Sequence, residues 1–389
     1  MNVRAQTHHV LLCTSFLLAA CSDPLDGDEA GASLGGGTAE TGGEAPGNGD
    51  EGDSGQSSGQ PPGDGDGDAG NDIPQAGFCD SVSFALDTLQ PNVMLVLDKS
   101  GSMNQFTWDD DGILDTPEVT RWHTLHDVVT QITTDYQDIM RLGVTLFPAI
   151  DAEVQSGTFE GSCKVNEEPE VPVGDDNSLI LDHIPAADDL EFSGASPATA
   201  GVLTATNHLV GLDETLPRAM IFVTDGAANC ASPENFVTLY DETLPQAISD
   251  AWEDAGIPTF VVGIDISEDG GAVDVNPRDA LHVVALAGAV PNEGEVGFYD
   301  ATTPEALTGA LEEITERVAC QVELDVDPEA LDGMVIEASG QEFVEVGSCK
   351  NQDGWVQLDP LNNPGMIELC NAACEVAGEA GGAVAKLSC

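Results

Sequence analysis

Five oxygen-bearing side chains in this 389-residue sequence have the types and positions to hold a hard divalent cation: Asp98, Ser100, Ser102, Ser196 and Asp225. The first three alternate in Asp98-Lys99-Ser100-Gly101-Ser102, directly after the apolar run Val93 to Leu97. Asp225 follows a second apolar run, Ala219 to Val223. Ser196 lies between them in the turn Ser193-Gly194-Ala195-Ser196-Pro197. All donors are oxygen, which suits Mg²⁺ or Mn²⁺. Only two carboxylates would face the ion, so hydroxyl ligation, with the acids acting through water, would leave it electron-poor. A Ser or Cys in a nucleophile elbow and a Gly-rich phosphate loop are both missing, so no enzymatic activity is expected.

These residues need a frame that brings them to one edge. Asn92 to Leu97, apolar from Val93 on, and Ala219 to Val223 are continuous apolar runs, and Gly143 to Phe147 and Thr259 to Ile264 read as further short strands. Strands buried on both faces, as in a parallel sheet, read this way. Between them lie helical patterns over about Arg121 to Met140, Pro197 to Val210, Thr243 to Ala255, Pro277 to Ala287 and Pro304 to Val318. The first repeats Trp122, Leu125, Val129, Ile132, Tyr136 and Ile139 at helical spacing, and the second turns Val202, Leu203 and Leu209 inward. Alternating strands and helices predict an α/β fold, a doubly wound, mostly parallel sheet flanked by helices. Ligands of such sheets bind beyond the carboxyl ends of the strands, near a switch in strand order. Asp98 and Asp225 both emerge on that edge.

With its strand context, the pattern resembles a von Willebrand factor type A domain over about Pro91 to Val318. The family's metal-ion-dependent adhesion site has a DxSxS motif, present here as Asp98, Ser100 and Ser102. Its Thr in a Gly-rich turn appears as Ser196, a departure that keeps the hydroxyl and loses a methyl, with Thr199 as a fallback. Its Asp after a buried strand is Asp225. The resemblance implies a cation bound by the hydroxyls, with the acids ligating directly or through water. One position stays open for an acidic residue of a protein or peptide partner.

A second acidic stretch, Thr107 to Glu118, partly fits a twelve-position calcium loop. Asp109, Asp111, Asp115 and Glu118 take positions three, five, nine and twelve, Ile113 position seven, and Gly112 position six. Position one is Thr107 rather than Asp, and no entering helix is evident. A solvated acidic loop is the stronger expectation in so acidic a chain; Ca²⁺ is the alternative.

Residues 1–21 have a signal-peptide plan, with Arg4, a short apolar run and then Leu18-Ala19-Ala20-Cys21, which resembles the bacterial lipoprotein box. Cys21 is the expected lipidation site, and Ser22 after it favours the outer membrane by analogy with Gram-negative sorting. Residues 22–78 hold 13 of the 70 acidic residues and no Lys or Arg. They are too poor in apolar side chains to fold and are expected to act as a spacer. The type A domain is placed at 79–319 and a small Cys-rich β module at 320–389, with five of the mature cysteines.

Eight cysteines follow the leader: Cys79, Cys163, Cys230, Cys320, Cys349, Cys370, Cys374 and Cys389. Without CxxC spacing they read as disulfides of an oxidising compartment. Cys163 with Cys230, and Cys349 with Cys370, are candidate pairs; Cys79 would pair within Cys320, Cys374 and Cys389. The formal net charge of -60 argues against nucleic acid or anionic lipid as a partner. Membrane contact is expected only through the N-terminal lipid. The expected function is a cell-envelope lipoprotein that binds an acidic protein or peptide ligand through its cation site. The alternative is an envelope assembly component in which the metal only stabilises the fold.

Overall fold

The computed structural model describes residues 78–85, 90–109, 116–152, 157–212, 216–267, 273–359 and 363–388. The leader with Cys21, the acidic segment up to residue 77, and Cys389 lie outside the described residues.

In chain order the principal elements begin with β1 (Phe78–Phe84), β2 (Asn92–Asp98), α1 (Gly101–Gln105), β3 (Thr107–Trp108), β4 (Val119–Thr120), α2 (Arg121–Asp135) and β5 (Arg141–Phe147). There follow α3 (Phe159–Ser162), β6 (Val171–Gly174), α4 (Ala198–Val210), β7 (Arg218–Thr224), α5 (Leu244–Ala255) and β8 (Thr259–Ile264). The α/β part closes with α6 (Pro277–Ala287), β9 (Tyr299–Ala301) and α7 (Pro304–Ala319). The C-terminal part holds β10 (Gln321–Glu323), β11 (Val335–Ala338), β12 (Gln341–Val344), β13 (Gly354–Asp359), β14 (Asn363–Cys370), α8 (Ala372–Ala380) and β15 (Ala383–Ser388).

The central six-stranded sheet has the order β6-β5-β2-β7-β8-β9. Its strands are parallel except β6, which runs antiparallel to β5. Strand β2 shows why its run is apolar throughout. Val93, Leu95 and Leu97 enter one core with Trp122, Leu125 and Val129 of α2 and Leu307, Leu311 and Ile314 of α7. Met94 and Val96 enter the core on the other face with α4, α5 and α6. A strand between two helical layers has no polar face, so the period of two disappears from its sequence. Each such large side chain contributes about 1.5–3 kcal/mol by leaving water. Helices α6 and α7 both open on Pro, with the side chains of Asn276 and Thr303 capping their first turns.

Three details differ from the sequence reading. Helix α2 stops at Asp135 rather than near Met140, because a turn over residues 136–140 returns the chain to β5; Ile139 is consequently exposed. Leu203 is also exposed, since it lies one residue, or about 100° of helix rotation, from inward Val202. Val202 and Leu209, seven residues apart, share the buried face. The third difference concerns the boundary at residue 79. Strand β1, counted there with the α/β part, pairs antiparallel with β15 and completes the C-terminal sheet β1-β15-β11-β12.

A second sheet, β10-β14-β13, and helix α8, which the sequence reading missed, share a core with that sheet. Disulfides Cys320–Cys374 and Cys349–Cys370 staple this part, and Cys163–Cys230 staples the α/β part. Both pairings singled out from the sequence are present. Arg317 of α7 forms a two-pronged ion pair, 2.7 and 2.9 Å, with Glu368 of β14, tying the parts together. Among the described residues no helix is long and apolar enough to cross a membrane.

Edge strand β6 is held partly by a histidine. The Val173 amide donates to Nε2 of His208 on α4 at 3.1 Å, which requires that nitrogen to be unprotonated. Burial pushes the His208 pKa below its ordinary value. The unfolded chain therefore binds the proton more readily, and stability is lost as pH falls through the ordinary histidine range. Denaturation midpoints at pH 7.5 and 5.5 should differ more in the wild type than in His208→Gln, which offers a non-titrating acceptor.

Candidate metal centre

Sheet order creates the site. Strands β2, β7 and β8 are parallel neighbours, and each delivers an aspartate at or just past its carboxyl end: Asp98, Asp225 and Asp265. The chain passes from β2 to β5 on one side and later places β7 on the other. That divergence opens a crevice above β2, where open α/β sheets bind ligands.

The candidate donors form a connected chain. Asp98 is fully buried; Oδ1 accepts the Ser100 amide at 2.7 Å and Oδ2 the Thr224 hydroxyl at 2.6 Å. The hydroxyls of Ser100 and Ser102 are 3.0 Å apart, and Ser102 donates to Asp225 Oδ1 at 2.7 Å. A serine has one hydroxyl proton. With its proton given to Asp225, Ser102 can only accept from Ser100, whose hydroxyl also faces Asp98; both oxygens keep lone pairs to offer a cation. Ser100 stands at the start of α1 but makes no side-chain cap bond, so helix capping does not explain its hydroxyl.

Electrostatics point the same way. Burial, and after it the Asp225 charge, push the Asp98 pKa up to about 7. Burial also raises Asp225, against the lowering effects of Ser102 and Arg121. Two desolvated carboxylates are costly when both are ionised, and a nearby cation relieves that cost. Oxygen-only chemistry, hydroxyl lone pairs and desolvated carboxylates fit a hard divalent cation. No cluster of three or more His, Cys, Asp or Glu side chains suited to a metal occurs among the described residues. The hydroxyls must therefore complete any such site.

Ser196 is fastened by its backbone to the loop that follows β7. Its amide donates to Asn229 Oδ1 at 2.8 Å, and its carbonyl accepts the Asn229 amide at 3.0 Å. The Gly101 amide donates to Gly194 O at 3.2 Å, fastening the Ser196 turn to the DxSxS loop. Gly194 has φ +141°, and a Cβ there would approach Pro148 to 2.6 Å, so only glycine fits. Disulfide Cys163–Cys230 braces both ends, since the Ala195 amide bonds Ser162 O and Cys230 follows Asn229. The fallback residue Thr199 instead shares a 3.3 Å hydroxyl contact with Thr243.

Sequence reasoning missed Arg121, Thr224, Asp265 and Asn229. Arg121 donates to Asp225 Oδ2 at 2.9 Å through one arm and pairs with Asp265 through the other. Its rarity in so acidic a chain was an available signal. Lys99, inside the motif, is fully buried; its ammonium has no hydrogen-bond partner and lies 5.4 Å from the Phe192 ring centroid. Burial pushes its pKa down to about 8.

Asp111, Ile113 and Asp115 of the calcium-loop candidate lie outside the described residues; Asp109 and Glu118 are described. The stretch enters and leaves through the two-stranded ribbon β3–β4, and Thr107 donates to Glu118 at 2.5 Å. Strands, not the helices of an EF-hand, flank it.

A mostly parallel α/β sheet with DxSxS at its switch point and an aspartate following the neighbouring strand is the arrangement that the resemblance to a von Willebrand factor type A domain implies. No protein-family model and no curated protein matches the sequence. Solved structures similar to this chain include the conserved hypothetical protein BatB from Bacteroides thetaiotaomicron, 14% identical over 58% of this chain and 99% of that one, with TM-score 0.37. The pilus adhesin SpaC from Lactobacillus rhamnosus GG is 14% identical over 77% of this chain and 39% of that one, with TM-score 0.42. Proximal thread matrix protein 1 from the mussel byssus, solved with a zinc-occupied MIDAS motif, is 15% identical over 62% and 50%, with TM-score 0.38. The chain thus spans half or less of the last two.

Proposed function

We propose that the domain binds a protein or peptide ligand through a divalent cation, Mg²⁺ or Mn²⁺, held by Asp98, Ser100, Ser102, Ser196 and Asp225. An acidic group of the ligand completes the coordination, and no bond is made or broken. The observation that carries this reading is the hydroxyl chain from Ser100 through Ser102 to Asp225, beside buried Asp98 at the switch point. The cation supplies a positive centre to which a carboxylate can bind in an otherwise anionic surface. Export and lipidation at Cys21 would place the domain in the cell envelope, most naturally on the outer membrane.

The test is calorimetric titration of the protein with MgCl₂ and MnCl₂, followed by an acidic peptide with and without EDTA. One saturable cation site and EDTA-sensitive peptide binding are expected; absence of cation binding overturns the reading. Complete burial of Asp98 favours a second reading, in which the cation relieves a buried charge and mainly stabilises the fold. EDTA would then lower the melting temperature and leave ligand binding unchanged.

A further inference from the structure

Arg121 is one of nine basic residues in 79–389, a stretch with 57 acidic ones. It is the first residue of the 15-residue helix α2, where the helix dipole disfavours a positive side chain. It is nonetheless buried, its guanidinium carbon 4.8 Å from the Phe106 ring centroid and its Nε without a hydrogen-bond partner. Two carboxylates hold it there: Asp225 at 2.9 Å, and Asp265 on its other arm. Asp225 thereby has both oxygens engaged, Oδ1 by Ser102 and Oδ2 by Arg121.

Resting on the cation reading above, we infer that Arg121 is a built-in counter-cation that sets the affinity of this centre for its divalent ion. Its guanidinium cancels one of the two carboxylate charges and repels an incoming cation. It also keeps electron density away from a bound ion, so the ion attracts an anionic ligand more strongly. Asp265 anchors the second arm and draws the guanidinium partly off Asp225. Arg121 is therefore a positioning and affinity-setting residue, distinct from the ligands.

The test compares Mn²⁺ affinity, measured by calorimetry, in the full chain and in Arg121→Gln, Arg121→Lys and Asp265→Asn. Removing the positive charge should tighten Mn²⁺ binding about tenfold or more, on Coulombic grounds. Arg121→Lys, which keeps the charge, should stay within about threefold of wild type. Asp265→Asn, which removes a nearby negative charge and returns the guanidinium to Asp225, should weaken binding. Acetate binding to the Mn²⁺ form should weaken in Arg121→Gln. Thermal melts establish that each variant is folded, and should Arg121→Gln fail to fold, Asp265→Asn and Arg121→Lys decide. Equal or weaker Mn²⁺ affinity in folded Arg121→Gln, or unchanged affinity in Asp265→Asn, overturns the inference and leaves the cation reading standing. Binding by Arg121→Gln alone supports the inference and counts against a cation-loaded wild type. Mn²⁺ binding by neither protein overturns both.

Discussion

Asp98→Ala is expected to weaken divalent-cation binding by about a hundredfold or more. The reason is geometric as much as electrostatic. Asp98 receives the Ser100 amide on one oxygen and the Thr224 hydroxyl on the other. Its loss removes a carboxylate from the centre, releases the motif loop, and frees Thr224 beside Asp225. Asp98→Asn separates these roles: it keeps the shape and an acceptor for the Ser100 amide, while the Thr224 hydroxyl accepts from the new amide and donates to Gly226 O, 3.2 Å away. Because burial already pushes the Asp98 pKa up to about 7, removing its charge relieves a cost in the metal-free protein. The metal-free Asn variant should therefore be at least as stable as wild type at neutral pH, while its calorimetric titration with Mn²⁺ is nearly flat. Wild-type Mn²⁺ affinity in Asp98→Asn would remove this residue from the site.

The paired substitution Cys163→Ser and Cys230→Ser should lower stability by about 3–4 kcal/mol. The disulfide closes a separation of 67 residues, and the chain entropy released in the unfolded state grows with that length. It also braces the Ser196 turn, which contacts Ser162 through the Ala195 amide and Asn229 through reciprocal backbone and side-chain bonds. Cation affinity should consequently fall along with stability. Cys349 and Cys370 give the control: their separation is 21 residues and they join the β13–β14 region. Replacing that pair should cost stability, about 3 kcal/mol, and leave cation affinity unchanged. Denaturant titrations and Mn²⁺ calorimetry on both variants distinguish bracing of the site from general stabilisation.

Much of the α/β part was legible because its signals are local. A strand covered on both faces must be apolar at successive positions, so the cores of β2 and β7 stood out as unbroken runs. The aspartates that close β2 and β7, Asp98 and Asp225, were visible where those runs stopped. Helix α8 and strand β1 were harder. The helix is short and rich in Ala, and β1 is recognisable only through its antiparallel partner some three hundred residues later in the chain. Leu203 and Ile139 were misplaced because one step along a helix, or one early turn, moves a side chain from core to solvent.

The site divides along the same line. The sequence by itself determined which residues could donate oxygen, that Asp98 and Asp225 end strands, and that Ser100 and Ser102 share a loop with Asp98. These properties follow from residue chemistry and from periodicity over a few positions. Only the tertiary structure decided that β7 lies directly beside β2, that Ser102 reaches Asp225 across 123 residues, and that Arg121 joins Asp225 to Asp265. Lateral strand order and the placement of a long cationic side chain arise from packing among segments remote in sequence. Local pattern carries no record of such energies.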